Sequence, residues 1–208
     1  MPRATAKHEN VKSIEQAVSY AVGHRIRIEV LAMLNVAPRS PSELARILGL
    51  PLGRVIHHTD ALLESRCIEI AETTSPPSSN VTATLYRSIE TIDYTDAEME
   101  AKTPEERKEI YGVILQSSMA EALASFWAGK IAEDPRAWLA WDWFNVDVQG
   151  RKEIADELAA SWQRIHAIEA RSAERCEESG EQRASVVVST QGFERSRTVF
   201  PADGVRKH

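Results

Sequence analysis

The side chains best suited to chemistry in this 208-residue chain are gathered in one short run, Gly53-Arg54-Val55-Ile56-His57-His58-Thr59-Asp60. Arg and His offer N–H donors, and Arg can pair two of its donors with one guanine edge, a contact worth about 1–3 kcal/mol of base discrimination. The chemistry this suggests is recognition of a duplex. Metal binding fits poorly, because adjacent residues such as His57 and His58 point about 100° apart on a helix. The other candidates, His8, His24, Asp60 and His166, share no helical spacing with one another, and no cysteine precedes Cys67. Glu153, Asp156, Glu157, Glu169 and Glu174 lie in one stretch with Arg151, Arg164, Arg171 and Arg175, a mixture typical of a solvated helix face rather than of paired acids and bases. No Gly-rich phosphate loop, nucleophile elbow or triad spacing occurs, so the chain is read as no enzyme, with no catalytic residue, cofactor or metal.

The elements that must position this run can be read from local chemistry. Ser40 is an N-cap type, Pro41 suits a first helical position, and Glu43 suits the positive end of the dipole. Leu44, Ala45, Leu48 and Leu50 recur at helical spacing, and Gly49 supplies the left-handed residue that ends the helix. Pro51 and Gly53 predict a turn. A second helix follows, with Val55, Ile56, Leu62 and Leu63 as its apolar stripe and Arg54, His57, His58 and Asp60 toward solvent. The polar face lies near the N-terminal end, the end that enters the major groove in helix-turn-helix proteins.

The run from Gly23 to Ile89, about a third of the chain, resembles the ArsR-type winged-helix family of bacterial transcriptional regulators. The matching stretches are HRIRIEVLAML from His24, SPSELARILGLP from Ser40, GRVIHHTDALLES from Gly53, and the strand pair CIEIAE and ATLYRSI. The resemblance implies that Arg54 and His57 face bases and that His58 supports the helix on the DNA backbone. Ser42, Gly53 and the strand residue Arg87 complete the expected DNA-binding set. The chain departs from the family at Ile56, Thr59 and Arg66, the last standing where a Gly usually ends the recognition helix. The wing tip from Ser75 to Val81 carries no Lys or Arg to grip phosphates, which leaves wing contact to Arg87 or to neutral polar groups. A helix expected over 12–22 corresponds to a leading helix that in family members often helps to dimerise.

Charge divides the chain. Residues 1–90 carry 10 Lys+Arg against 9 Asp+Glu, and residues 91–208 carry 15 against 22. A nearly neutral reading head on an acidic body can bind DNA specifically without strong long-range steering. No apolar stretch approaches the ~20 residues of a membrane span. The N-terminus lacks the pattern of a secretory signal, and the two distant cysteines, Cys67 and Cys176, suit a reducing compartment, so no membrane partner and a cytoplasmic location are expected.

Residues 91–103 are polar and acidic and read as a linker. Pro104 opens a long helix to about Ile131. The stretch WLAWDWFNVDVQG alternates at period two and predicts a strand ending at Gly150. A helix is expected from Arg151 to about Glu178 and a final strand from Ala184. This half also resembles the C-terminal region of a subgroup of actinobacterial winged-helix regulators, through its Trp-rich strand, the helix start at Gly150–Glu153 and Gly192-Phe193-Glu194. Trp127, Trp138, Trp141, Trp143 and Trp162 read as core or interface, ahead of a pocket for an apolar effector.

The sequence thus predicts an α+β, mainly α protein. Residues 1–90 form a winged helix-turn-helix, 91–103 a linker, and 104–208 a helix-rich dimerisation or effector domain with a small two-strand element. The expected function is a homodimeric transcriptional regulator, a repressor by resemblance, that binds double-stranded DNA at a pseudo-palindromic operator. Control would act through residues 96–208, with a small-molecule effector left open. The rival reading is a winged-helix protein-interaction module that has lost its DNA grip.

Overall fold

The computed structural model describes residues 13–74, 83–90 and 94–194. It is mainly helical, with one small antiparallel sheet. Helix α1 (Ile14–Val22) opens on a capping box between Ser13 and Gln16. Helix α2 (Arg25–Val36) starts at His24, whose Nδ1 accepts from the Ile26 amide at 3.1 Å. It supplies the centre of the core, with Ile26, Ile28, Val30, Leu31 and Leu34 buried.

Helix α3 (Pro41–Leu48) has the expected start and stop. Ser40 and Glu43 form a capping box, Pro41 takes the first position, and Gly49 closes the helix at φ 64°. Helix α4 (Leu52–Glu64) follows almost at once, so Gly53 lies inside its first turn rather than in the turn before it. Strands β1 (Ile68–Thr74) and β2 (Ala83–Ser88) pair antiparallel, from Ile68 opposite Ser88 to Thr74 opposite Ala83, with a register shift between Ile70 and Glu72. The hairpin tip, Ser75–Val81, lies outside the described residues, as does His8. Away from the hairpin ladder, Arg39 and Tyr86 exchange two backbone hydrogen bonds of 2.9 Å, which fasten β2 to the segment just before α3.

The expected linker contains a helix of its own, α5 (Asp96–Ala101). After it, α6 (Pro104–Trp127) lies against α1 and α2. Small residues on α6 permit this: a Cβ at Gly112 would stand 2.1 Å from Ile14 Cγ1, and Ala120 is fully buried. Asn35 of α2 donates to Ser117 O and to Glu121 Oε1 of α6, and Lys108 pairs with Glu15 of α1. A short helix, α7 (Lys130–Glu133), comes next. The chain divides into two compact units, 1–137 and 138–208. The boundary expected near residues 91–103 therefore falls some forty residues later, because α6 is packed into the first unit's core.

The second unit is built on α8 (Val148–Ser179), capped by the Asp147 carboxylate, which accepts from Gly150 N at 2.8 Å, and ended at Gly180. The cap at Asp147 starts this helix three residues before the expected Arg151. The strand expected before Gly150 does not form. Residues 138–147 have no partner strand among the described residues, and Asp142 instead accepts the Trp143 amide. Residues 184–194 are not a strand either. They return along α8, where Glu194 pairs with Arg151 at 3.1 Å and a Cβ on Gly192 would stand 2.6 Å from Leu158 Cδ1; the last part of this expected strand, residues 195–200, is outside the described residues. The small two-strand element expected in the C-terminal half is thus absent among the described residues, and the sheet belongs to the first unit. No described helix is long and apolar enough to cross a membrane.

Candidate nucleic-acid interface

Helix α4 is two-faced. Val55, His58, Thr59, Ala61 and Leu62 are buried, a helical repeat that fixes the element against the core. Gly53, Arg54, Ile56, His57, Asp60 and Glu64 are exposed. Arg54 and His57 therefore share the outward side of the N-terminal half, as the sequence predicts. The helix start adds to them. Pro51 at the N-cap contributes no side-chain bond and the first turn holds no acid, so the positive end of the dipole is not neutralised from within.

His58 corrects the expectation. Its side chain turns inward, with the residue 6% exposed, and its ring lies 4.3 Å from that of His24 and 5.2 Å from that of His57. Nδ1 is buried without a hydrogen-bond partner among the described residues. Burial, followed by the neighbouring His24, His57, Arg27 and Arg54, pushes its pKa down to about 4, so the ring is neutral at pH 7. An imidazole enclosed in this way belongs to the helix packing rather than to the outward face of α4. Thr59 is also fully buried.

The remaining expected residues are dispersed. Ser42 is exposed in the first turn of α3, where its hydroxyl shares a 3.0 Å hydrogen bond with that of Ser40. Arg87 is exposed on β2, but Nε donates to Glu69 Oε1 across the strand pair at 2.7 Å, so a carboxylate already accompanies its charge. Tyr86 beside it is half-buried, and burial and then Asp60 of α4 raise its pKa.

Two residues near α4 take roles that the sequence does not disclose. His24 caps α2 and stacks on His58. Arg27 donates Nε to Tyr20 O at 2.8 Å and holds its guanidinium 3.8 Å from the Tyr20 ring centroid. Histidine is not a favoured N-cap, and Arg27 falls in an apolar helix, so neither carried a local signal. Despite the crowding of rings, the described residues contain no group of three His, Cys, Asp or Glu side chains arranged to hold a metal ion.

No family model matches the chain, and no curated protein matches it. The interface accordingly rests on its own geometry: an exposed Arg54 and His57 at an uncapped helix start, backed by a buried row that sets their direction.

Proposed function

We propose that the chain is a winged helix-turn-helix transcriptional regulator of the ArsR type, a homodimer that places α4 of each subunit in successive major grooves of a pseudo-palindromic operator. What carries the reading is the opposition on α4 between the buried Val55, His58, Thr59 and Leu62 and the exposed Arg54 and His57. A helix end with free N–H groups favours phosphate, and an Arg within its first turn is placed for a base edge. The order α2, α3, α4 and hairpin adds support, as does the Arg39–Tyr86 bridge that ties hairpin to helices. Occlusion of a promoter is the mechanism.

Dimerisation draws support from α6. Tyr111, Ile114, Leu115, Met119 and Phe126 are exposed at helical spacing, an apolar stripe directed away from α1 and α2 and suited to a second copy.

Genomic fragment selection with the purified protein, followed by fluorescence anisotropy on the selected duplex, tests the proposal. Arg54→Ala and His57→Ala are each expected to weaken the selected duplex by roughly tenfold or more. No enrichment, together with no retention on random duplex at about 50 mM salt, would overturn the reading. The Arg87–Glu69 pair favours the alternative of a protein-interaction module, since it removes a free cation from the hairpin; that alternative predicts normal folding with no DNA retention.

A further inference from the structure

The first unit has a groove on a different set of residues from the proposed reading face. It has a volume of about 490 Å³ and lies between α2, the end of α3 and the end of α6. That is within the range of small-ligand sites, roughly 300–1,000 Å³. Met33, Leu48, Ala124 and Trp127 give it apolar and aromatic walls, and Val36 stands open at its edge, 74% exposed.

Three charged side chains also line it, and their pairing is unequal. Arg25 Nε is bound to Glu29 Oε1 at 2.9 Å, with its guanidinium 5.2 Å from the Trp127 ring centroid. Arg39 has no such counter-ion among the described residues. Its Nε is shielded from solvent and donates to nothing there. Glu43 feels the Arg39 charge, but its Oε2 accepts from the Ser40 amide and hydroxyl in the α3 cap. With Nε closed off, the terminal guanidinium nitrogens of Arg39 are the donors left to meet an acceptor in the groove, and an anionic acceptor meets them best. The groove therefore combines one unbalanced positive charge and a flat aromatic wall.

We propose that this groove binds a small organic monoanion with a flat apolar body, of the arene carboxylate class. The carboxylate accepts from Arg39, and the ring lies along Trp127 and Met33. Leu48 is the last residue of α3, which packs against α4, and Arg39 exchanges backbone hydrogen bonds with Tyr86 of β2, so an occupant touches a neighbour of α4 and the joint that holds the hairpin. Any effect on DNA rests on the regulator reading above; the binding itself does not.

The test is isothermal titration of the full chain, without DNA, using 2-naphthoate, 2-naphthamide and 2-naphthylmethylammonium as probes. Saturable binding of 2-naphthoate is expected, with the neutral and cationic probes at least roughly tenfold weaker. Arg39→Gln should lower the affinity for 2-naphthoate by about the same factor. Val36→Glu, an exposed substitution that adds a carboxylate at the groove edge, should do likewise and decides the matter if Arg39→Gln fails to fold. Absence of saturable binding, equal affinity for carboxylate and amide, or undiminished affinity in the folded variants would overturn the proposal. Because no DNA is present, that result and a failure of the regulator reading are separate observations.

Discussion

His57 and His58 are neighbours in sequence with opposite surroundings. His57 is exposed on α4, whereas His58 is stacked under His24 and neutral at pH 7. The native His58 pKa, about 4, lies below its ordinary value of 6.5, so the unfolded chain binds the proton more readily. Its contribution to stability is therefore complete above pH 6.5 and is lost as the pH falls toward 4. Between pH 7 and pH 5 the loss should be about 2 kcal/mol, read as a shift in the urea midpoint, and His58→Leu should flatten that slope. Arg66 poses a backbone question instead. It adopts φ 55° just after α4, a region that disfavours any residue with a Cβ. This is the position at which the resemblance leads one to expect Gly. Arg66→Gly should raise stability by about 1 kcal/mol in denaturant titration, and Arg66→Val should lower it.

Among the elements, α3 was fully legible because every signal that defines it is local: Ser40, Pro41, Glu43 and Gly49 each act within one turn. Helix α4 was legible in the outward facing of Arg54, His57 and Asp60, but not in that of Ile56, expected in the apolar stripe and exposed, nor in that of His58. Whether His58 looked in or out depended on His24, thirty-four positions earlier, and no local rule connects the two. The strands expected at 138–150 and from Ala184 failed for a related reason. Alternation describes a face, and a strand also needs a neighbour to share its hydrogen bonds. The long helix from Pro104 was read with the right start, but Gly129 ends it at Trp127 and leaves Ile131 in α7; its packing partner was not read, since the informative residue is a glycine in mid-helix. Gly112 permits α6 to meet Ile14 of α1. Gly112→Ala should therefore destabilise the fold by about 2 kcal/mol despite its higher helix propensity, a loss measurable by thermal or chemical denaturation.

At the scale of the whole molecule the two units differ in how they are held. The first has a continuous core running through α1, α2, α3, α4, β1 and α6. The second has no fully buried side chain on α8, while Trp138 and Trp141 are 87% and 83% exposed. Apolar surface on this scale is more than a lone chain usually leaves open, and the proposed dimer is consistent with it. The stripe on α6 allows a direct check. Met119→Glu should shift the protein from dimer to monomer in sedimentation velocity while leaving the helical circular-dichroism signal in place; an unchanged dimer would move the interface elsewhere.

The Arg39–Tyr86 bridge has a mechanical consequence. Two hydrogen bonds in parallel resist shear much as a pair of rivets does, so a pull on the hairpin is delivered to the root of α3 instead of being dissipated in a slack loop. A load at the far end of β2 and an occupant pressing on the Arg39 side chain would thus act on the same joint, one through its main chain and the other through its guanidinium.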